Sequence, residues 1–463
     1  RIFDAGKYAA SGNGHRRAQM FADALSGDVE AVELAARISG KRNQDAVRAI
    51  GLVPLPRDQA MRRTEILLRY ETLQQFVRGG RDFGSQRQAS EKLAFSVGLA
   101  NLARTAGYAD PQRLSWAMEA EAISDLKAGP VSVSEGNVSA TLSIDAAGEP
   151  QMTFARNGKN LKALPASARQ LPAFSELQAR KSDLARQTSR MRRSLEEGMI
   201  RGDQFTGAEL AQMAEHPLLK PMLATLLLVD EDGSVAWFGN RIDRPGKCRI
   251  AHPVDLLESK RWAQFQRECL EAGRVQPFKQ AFRELYLVTT AEHDTKTYSQ
   301  RYEGNQVNPR QAQALLGGRG WVSVPYEGIR KTFHHEGISV WVSFVQGWFT
   351  PAAFDGLTIG RVHFWDKAAG VAIASQRVNP RVFSEAMRDL DLMVSVAHRG
   401  GVDPETSAST VEMRSDLLRE TLALMKIGNV RLMRQYALVD GTLGAYNINL
   451  GSGTPDWSAI LPR

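Results

Sequence analysis

Residues 138–154 read VSATLSIDAAGEPQMTF. Val138, Ala140, Leu142 and Ile144 alternate with Ser139, Thr141 and Ser143, a period of two that puts the apolar set on one face of a strand. DAAGEP, at 145–150, supplies a turn, and Met152 and Phe154 alternate on the return. The reading is a β-hairpin or small meander with one buried face. It decides the fold class because the period changes on either side of it, helical before and mixed after. The expected class is α+β.

Upstream, Val47, Ile50 and Leu52 suit a short helix running into Pro54 and Pro56. Longer helices follow at 59–78 and 87–105, and Asp110-Pro111 opens another by N-cap and N1 chemistry. This part, residues 1–128, reads like the end of a helical repeat array. Residues 129–202 hold the hairpin and a long basic helix at about 173–201, with Phe174, Leu177, Leu184, Met191 and Leu195 on one stripe. Residues 203–463 read as a mixed α+β domain. Its expected strands lie at 222–230, 284–289, 320–325, 338–344, 358–365, 430–435 and 444–450. Its expected helices lie at 260–272, 309–316, 380–398 and 410–425, the last behind a capping box of Ser409 and Glu412.

Apolar residues at 43% and charged residues at 24% exclude wholesale disorder. The two cysteines, Cys248 and Cys269, exclude a disulfide scaffold and a Cys-x-x-Cys site. The longest apolar run, 222–229, is eight residues against the ~20 a membrane span needs. Residue 1 is Arg, so the chain reads as a piece of something longer. Of a net charge of +8, residues 156–202 carry +7, from eleven Lys/Arg and four acids. The excess is one basic element. Arg180, Lys181, Arg186, Arg190, Arg192 and Arg193 are its candidate contacts to nucleic acid, and a solvated helix over the core or a protein interface is the competing reading.

Phosphate-binding, nucleophile-elbow and zinc-protease motifs are missing, and no cofactor or metal site is expected. GNGHRR at 12–17 resembles a glycine-rich loop in composition only. The densest polar and aromatic segment runs from Arg283 through the loop at 297–305. There Arg283 and Arg301 can fork onto a carboxylate or phosphate, Tyr298 and Tyr302 can stack, and Glu303 is the nearest partner for Arg301 along an extended chain. The alternative is an ordered loop in which these residues tie down backbone ends. His334 and His335 precede a strand, and His363 shares a strand face with Arg361 and Trp365. A metal reading would bring His334 or His335 to His363 and Asp366; one buried and two surface histidines is the favoured account. Glu385, Arg388 and Asp389 fall at i, i+3 and i+4; the carboxylate pair could serve acid–base chemistry or a cation, and a solvated helix face with an ion pair is the favoured reading.

The segments GYADPQRLSWAMEA, GDQFTGAELAQMAEHPLLKPMLATLLLVDEDG, QPFKQAFRELYLVT, TYSQRYEGNQV and VFSEAMRDLDLMVSVA, spread over 107–453, resemble the large C-terminal domain of unknown function of MolR-like bacterial proteins. That resemblance implies a cytoplasmic bacterial protein, WGR domains elsewhere in the chain, and neighbours that include a MoxR-type AAA+ ATPase and a von Willebrand A-domain protein. No WGR motif stands in this sequence, and the final GTPDWSAILPR departs from the expected continuation. The function expected is a scaffold or regulatory protein acting with a partner ATPase or nucleic acid. The alternative is an enzyme or anionic-ligand sensor built on Arg283, Tyr298, Arg301 and Glu303, with His335 and His363.

Overall fold

Asp110 accepts a hydrogen bond from the Arg113 amide at 2.8 Å, with Pro111 as the first helical residue, so that helix starts where its cap chemistry puts it. The computed structural model describes residues 14–80, 82–241, 246–295, 297–347, 354–397, 415, 418–419, 421–423, 425–433, 436–441, 444–450 and 455–456. They belong to two compact units, Arg1–Met191 with Ala208–Leu223, and Arg192–Gly207 with Ala224–Arg463. The fold is α+β.

The first unit begins with helices α1 (Gly14–Ser26), α2 (Ala31–Lys41), α3 (Gln44–Ala49), α4 (Gln59–Arg78), α5 (Ser85–Ala106) and α6 (Pro111–Ala122). Their core is centred on Leu34, Ile50, Leu73, Leu102 and Leu114, all fully buried. Gly98 lets α5 approach the end of α3: a Cβ there would stand 2.2 Å from the Val47 carbonyl oxygen. An antiparallel meander follows, β1 (Val131–Glu135), β2 (Val138–Ile144), β3 (Pro150–Arg156) and β4 (Lys159–Leu161), in that order. Val138, Ala140 and Leu142 are its buried set. Asp145 accepts from the amides of Ala147 and Glu149 to close the turn. The long helix α7 (Pro172–Arg201) is apolar on the stripe from Phe174 to Met199 and belongs to this unit as far as Met191; α8 (Gly207–Ala214) belongs to it from Ala208.

In the second unit, β5 (Gln204–Thr206), β6 (Leu227–Asp230), β7 (Val235–Trp237) and β8 (Lys247–Ile250) form a sheet in the order β5-β8-β6-β7. A seven-stranded sheet is built from β9 (Tyr298–Ser299), β10 (Gln306–Val307), β11 (Trp321–Val324), β12 (Gly328–Phe333), β13 (Ile338–Phe344), β14 (Leu357–Asp366) and β15 (Val371–Ile373). Its order is β10-β14-β13-β12-β11, with β9 and β15 also on β14. Helix α9 (Pro380–Ala397) covers one face, where Val340, Val342, Ile359, Val362 and Phe364 meet Phe383, Met387 and Leu390. Phe364 and Phe383 stack at 5.4 Å. Four short strands between Val430 and Asp456 make a further antiparallel sheet.

Three expectations change. Residues 222–230 are not one strand: Leu219–Ala224 is helical and only Leu227–Asp230 is extended. Residues 284–289 join no sheet; the Tyr286 amide donates to Ser384 Oγ on α9 at 3.1 Å, so a helix side chain takes the bond a neighbouring strand would. Strand β12 was not expected, because GIRKTF places charges on both of its faces, and neither were the short strands β5, β7, β8, β9, β10 and β15. The expected helix 410–425 with its Ser409/Glu412 box, and most of GTPDWSAILPR, fall largely outside the described residues.

Candidate functional site

Strand β14 alternates cleanly. Val362 and Phe364 point to α9, while Arg361, His363 and Trp365 point to the opposite face. On β13 the outward residues are Trp341 and Ser343, on β12 they are Arg330 and Thr332, and on β9 it is Tyr298. The register then aligns four of them. Arg330 pairs with Trp341, Trp341 with His363, and His363 with Tyr298. At about 4.8 Å between strands, the row is roughly 14 Å long.

The members touch one another. The Arg330 guanidinium lies 4.8 Å from the centre of the Trp341 ring, and Arg361 lies 4.4 Å over Tyr298. The rings of Tyr298 and His363 are 5.9 Å apart and tilted by 52°. Arg330 Nε has no hydrogen-bond partner among the described residues. Arg361 faces Glu303 only at 3.8 Å and remains 47% exposed. Trp365, next outward residue on β14, is 39% exposed. Burial among its neighbours lowers the His363 pKa, against a bond to the Thr297 backbone that raises it, so the ring is a flat neutral surface at pH 7. The arrangement can stack planar groups and offer two guanidinium ions at their edges.

Of the sequence candidates, Tyr298 and His363 therefore meet. The others do not join them. Arg283 is interior: Nε and Nη2 grip Glu385 at 2.7 and 2.6 Å, and Nη1 reaches Glu196 at 2.6 Å. His252 Nδ1 accepts the Val254 amide, which leaves Nε2 to donate to Glu385 at 3.1 Å. Burial would raise the Glu385 pKa, but the Arg283 charge holds it well below the usual carboxylate range. Arg301 is 2% exposed and binds Glu292 and the Leu287 carbonyl, each at 2.7 Å, not Glu303. The turn at 300–304 is the reason, since it sends Glu303 toward Arg361 while Tyr302 donates inward to the Met387 carbonyl at 3.0 Å. The loop is a structural tie except for Tyr298.

His334 and His335 stand exposed in the turn between β12 and β13, not in extended geometry, and among the described residues no three metal-ligating side chains cluster. The solvated face expected of Glu385, Arg388 and Asp389 is also corrected. Asp389 is buried and takes Trp321 Nε1 at 2.9 Å, Lys331 at 2.7 Å and Arg319 at 3.3 Å, while Arg388 pairs with Glu284 at 3.2 Å. On the basic helix α7, Arg186, Arg190 and Arg193 are exposed, whereas Arg180, Lys181 and Arg192 are half-buried. Acids of the first unit answer three of them: Asp125 with Arg180 (two bonds, 2.7 and 2.5 Å), Asp183 with Arg186, and Glu119 with Arg190 at 3.0 Å. The helix is thus less positive than its composition. Sequence reasoning missed Trp341 and Arg330; the outward place of Trp341 between Val340 and Val342 was the available signal.

Three family models match parts of the chain. They are a family of unknown function, DUF5724, over residues 1–118, a domain of unknown function, DUF4132, over 158–321, and another, DUF7737, over 411–456. These matches overturn the MolR-like identification, since neither a MolR-like nor a WGR family is among them. The MoxR-type ATPase and von Willebrand A-domain partners are implied by that resemblance alone. No curated protein and no solved structure matches the chain. Among the described residues, no helix is long and apolar enough to cross a membrane.

Proposed function

We propose that this chain is a cytoplasmic, non-catalytic nucleic-acid-binding scaffold, and that single-stranded nucleic acid is held on the outer face of the seven-stranded sheet. The observation that carries the reading is the cross-strand row Arg330–Trp341–His363–Tyr298 with Arg361 over its last ring. Aromatic side chains on a sheet accept unpaired bases face to face, at ~1–3 kcal/mol per stacked base, and do so for any base. The two arginines favour a polyanion over a neutral planar ligand such as a sugar, because each can stack and still reach a phosphate. A duplex hides its base faces, so it is the poorer ligand.

Fluorescence anisotropy with labelled oligo-dT and oligo-U tests this. Trp341→Ala and Tyr298→Ala are each expected to weaken binding about tenfold or more. With Arg330 and Arg361 as the phosphate contacts, log affinity falls against log salt with a slope of about −1.4, at about −0.7 per phosphate for single strands. Replacing Arg190, Arg192 and Arg193 together with Ala leaves binding nearly unchanged. The reading fails if Trp341→Ala and Tyr298→Ala bind as the unaltered chain does, or if a duplex competes as well as a single strand.

A further inference from the structure

The first unit contains a cavity of about 440 Å³, a volume suited to a small metabolite. Arg62, Tyr108, Arg113, Trp116, Glu209 and His216 line it, on α4, the connection into α6, α6 itself, α8 and the turn after α8. Two of these side chains carry buried hydrogen-bonding atoms with no partner among the described residues, Trp116 Nε1 and His216 Nε2. Trp116 is a donor by its chemistry. His216 is made one by its surroundings: Nδ1 accepts the Leu218 amide at 3.1 Å, which fixes the hydrogen on Nε2. Burial pushes the His216 pKa down to about 3, so the ring remains neutral at pH 7 and the N–H stays in place.

Buried donors without partners are uncommon because each has given up water and gained nothing. Both belong to residues that line one cavity, just behind its surface, where a small side-chain shift would bring them to an acceptor that arrives from outside. The charges around them narrow its nature. Arg62 spends Nη2 on the Thr105 and Ala106 carbonyls at the end of α5, both at 3.2 Å, and Arg63 at the rim pairs with Glu121. Arg113 is shared between Asp110 and Glu209. Three arginines therefore line the cavity; Arg63 and Arg113 already have carboxylate partners in Glu121, Asp110 and Glu209, and Arg62 is held by backbone carbonyls alone among the described residues. The apolar part of the wall includes Ile66, Met118 and Met213, which suit a hydrocarbon or ring body.

We propose that this cavity is a binding site for a small organic anion, whose carboxylate or phosphate oxygen accepts from Trp116 and His216 while its apolar body lies against the methionines. The site is separate from the sheet face and does not rest on the nucleic-acid reading.

Titration calorimetry on the full chain tests it, with benzoate and phenyl phosphate as probes and benzyl alcohol as the neutral control. Either anion is expected to bind, and the alcohol is not. Trp116→Phe keeps an aromatic ring and removes the N–H, so it weakens the anion about tenfold and moves the thermal midpoint little, since the N–H has no partner among the described residues. His216→Asn retains an acceptor for the Leu218 amide and gives the same loss of binding by an independent route. The proposal is overturned if neither anion binds, if benzyl alcohol binds as tightly as benzoate, or if both variants bind as the unaltered chain does. Which of the two anions binds more tightly assigns the oxygen group as carboxylate or phosphate.

Discussion

The two faces of the seven-stranded sheet use the same strands and opposite electrostatics. On the α9 side the buried carboxylates are answered: Glu385 by Arg283 and His252, Asp389 by Trp321, Lys331 and Arg319, Glu292 by Arg301. On the outer side Arg330 and Arg361 lie over aromatic rings rather than against carboxylates at bonding distance. A buried charge without a partner costs several kcal/mol, whereas a half-exposed guanidinium on a ring keeps its water and its donors. The difference separates residues that hold the fold from residues available to a ligand, although both kinds are arginine and aromatic by composition.

The comparison breaks most visibly on the inner side. Glu385→Gln leaves Arg283 without its main counter-charge, and urea unfolding should show a loss of about 3–5 kcal/mol. A change below 1 kcal/mol would show that the interior network is dispensable. Arg301→Ala is next, with a loss of roughly 1–3 kcal/mol, because it strands Glu292 and the Leu287 carbonyl. If Arg301 instead served a ligand, stability would be unmoved and binding lost.

Acidification sharpens the same contrast. His216, His252 and His363 all have pKa values lowered by burial. Above the ordinary histidine value of about 6.5 they are neutral folded and unfolded, and the full stability is present. Below it the unfolded chain takes up protons that the fold refuses. Stability therefore falls as pH falls below about 6.5, by up to about 1.4 kcal/mol per unit from His216 down to about 3, with His252 and the half-exposed His363 acting in the same direction. Urea midpoints measured between about pH 7 and pH 5 check the sign; a flat profile would place these rings in contact with water. The smallest effect belongs to the outer row. Trp341→Ala should cost less than about 1.5 kcal/mol of stability, well under a core aromatic, while oligonucleotide affinity changes most.

Much of the scaffold was legible from local pattern. The period of two at 138–144, the Asp110-Pro111 cap and the apolar spacing of Phe383, Met387, Leu390 and Val394 all lie where their chemistry requires. Long-range partners were not. Arg283 and Glu385 are 102 residues apart, and nothing near Glu385 says that an arginine is waiting for it. A charged helical triplet reads as solvated until its partners arrive from other elements. The outer row was half legible, because Tyr298 and His363 stand out as residue types. Its continuation through Trp341 and Arg330 depends on strand register, which no single strand encodes.

Strand β14 has a further property. One of its edges meets β13 along nearly its whole length, but the other is tiled by three short strands, β10 at Leu357 and Thr358, β9 at Val362 and His363, and β15 from Phe364 to Asp366. Each tile is too short to template a neighbouring chain, and together they occupy most of an edge that one long strand would otherwise have to guard. The tiles come from before and after β14 in the chain: β15 returns through a short hairpin, whereas β9 and β10 are far away in sequence and carry the larger loop-closure cost. Tyr298 is one of those tiles. The ring that ends the outer row therefore sits on one of the strands that guard this edge, so a change that loosens β9 both shortens the row and bares the edge at Val362 and His363.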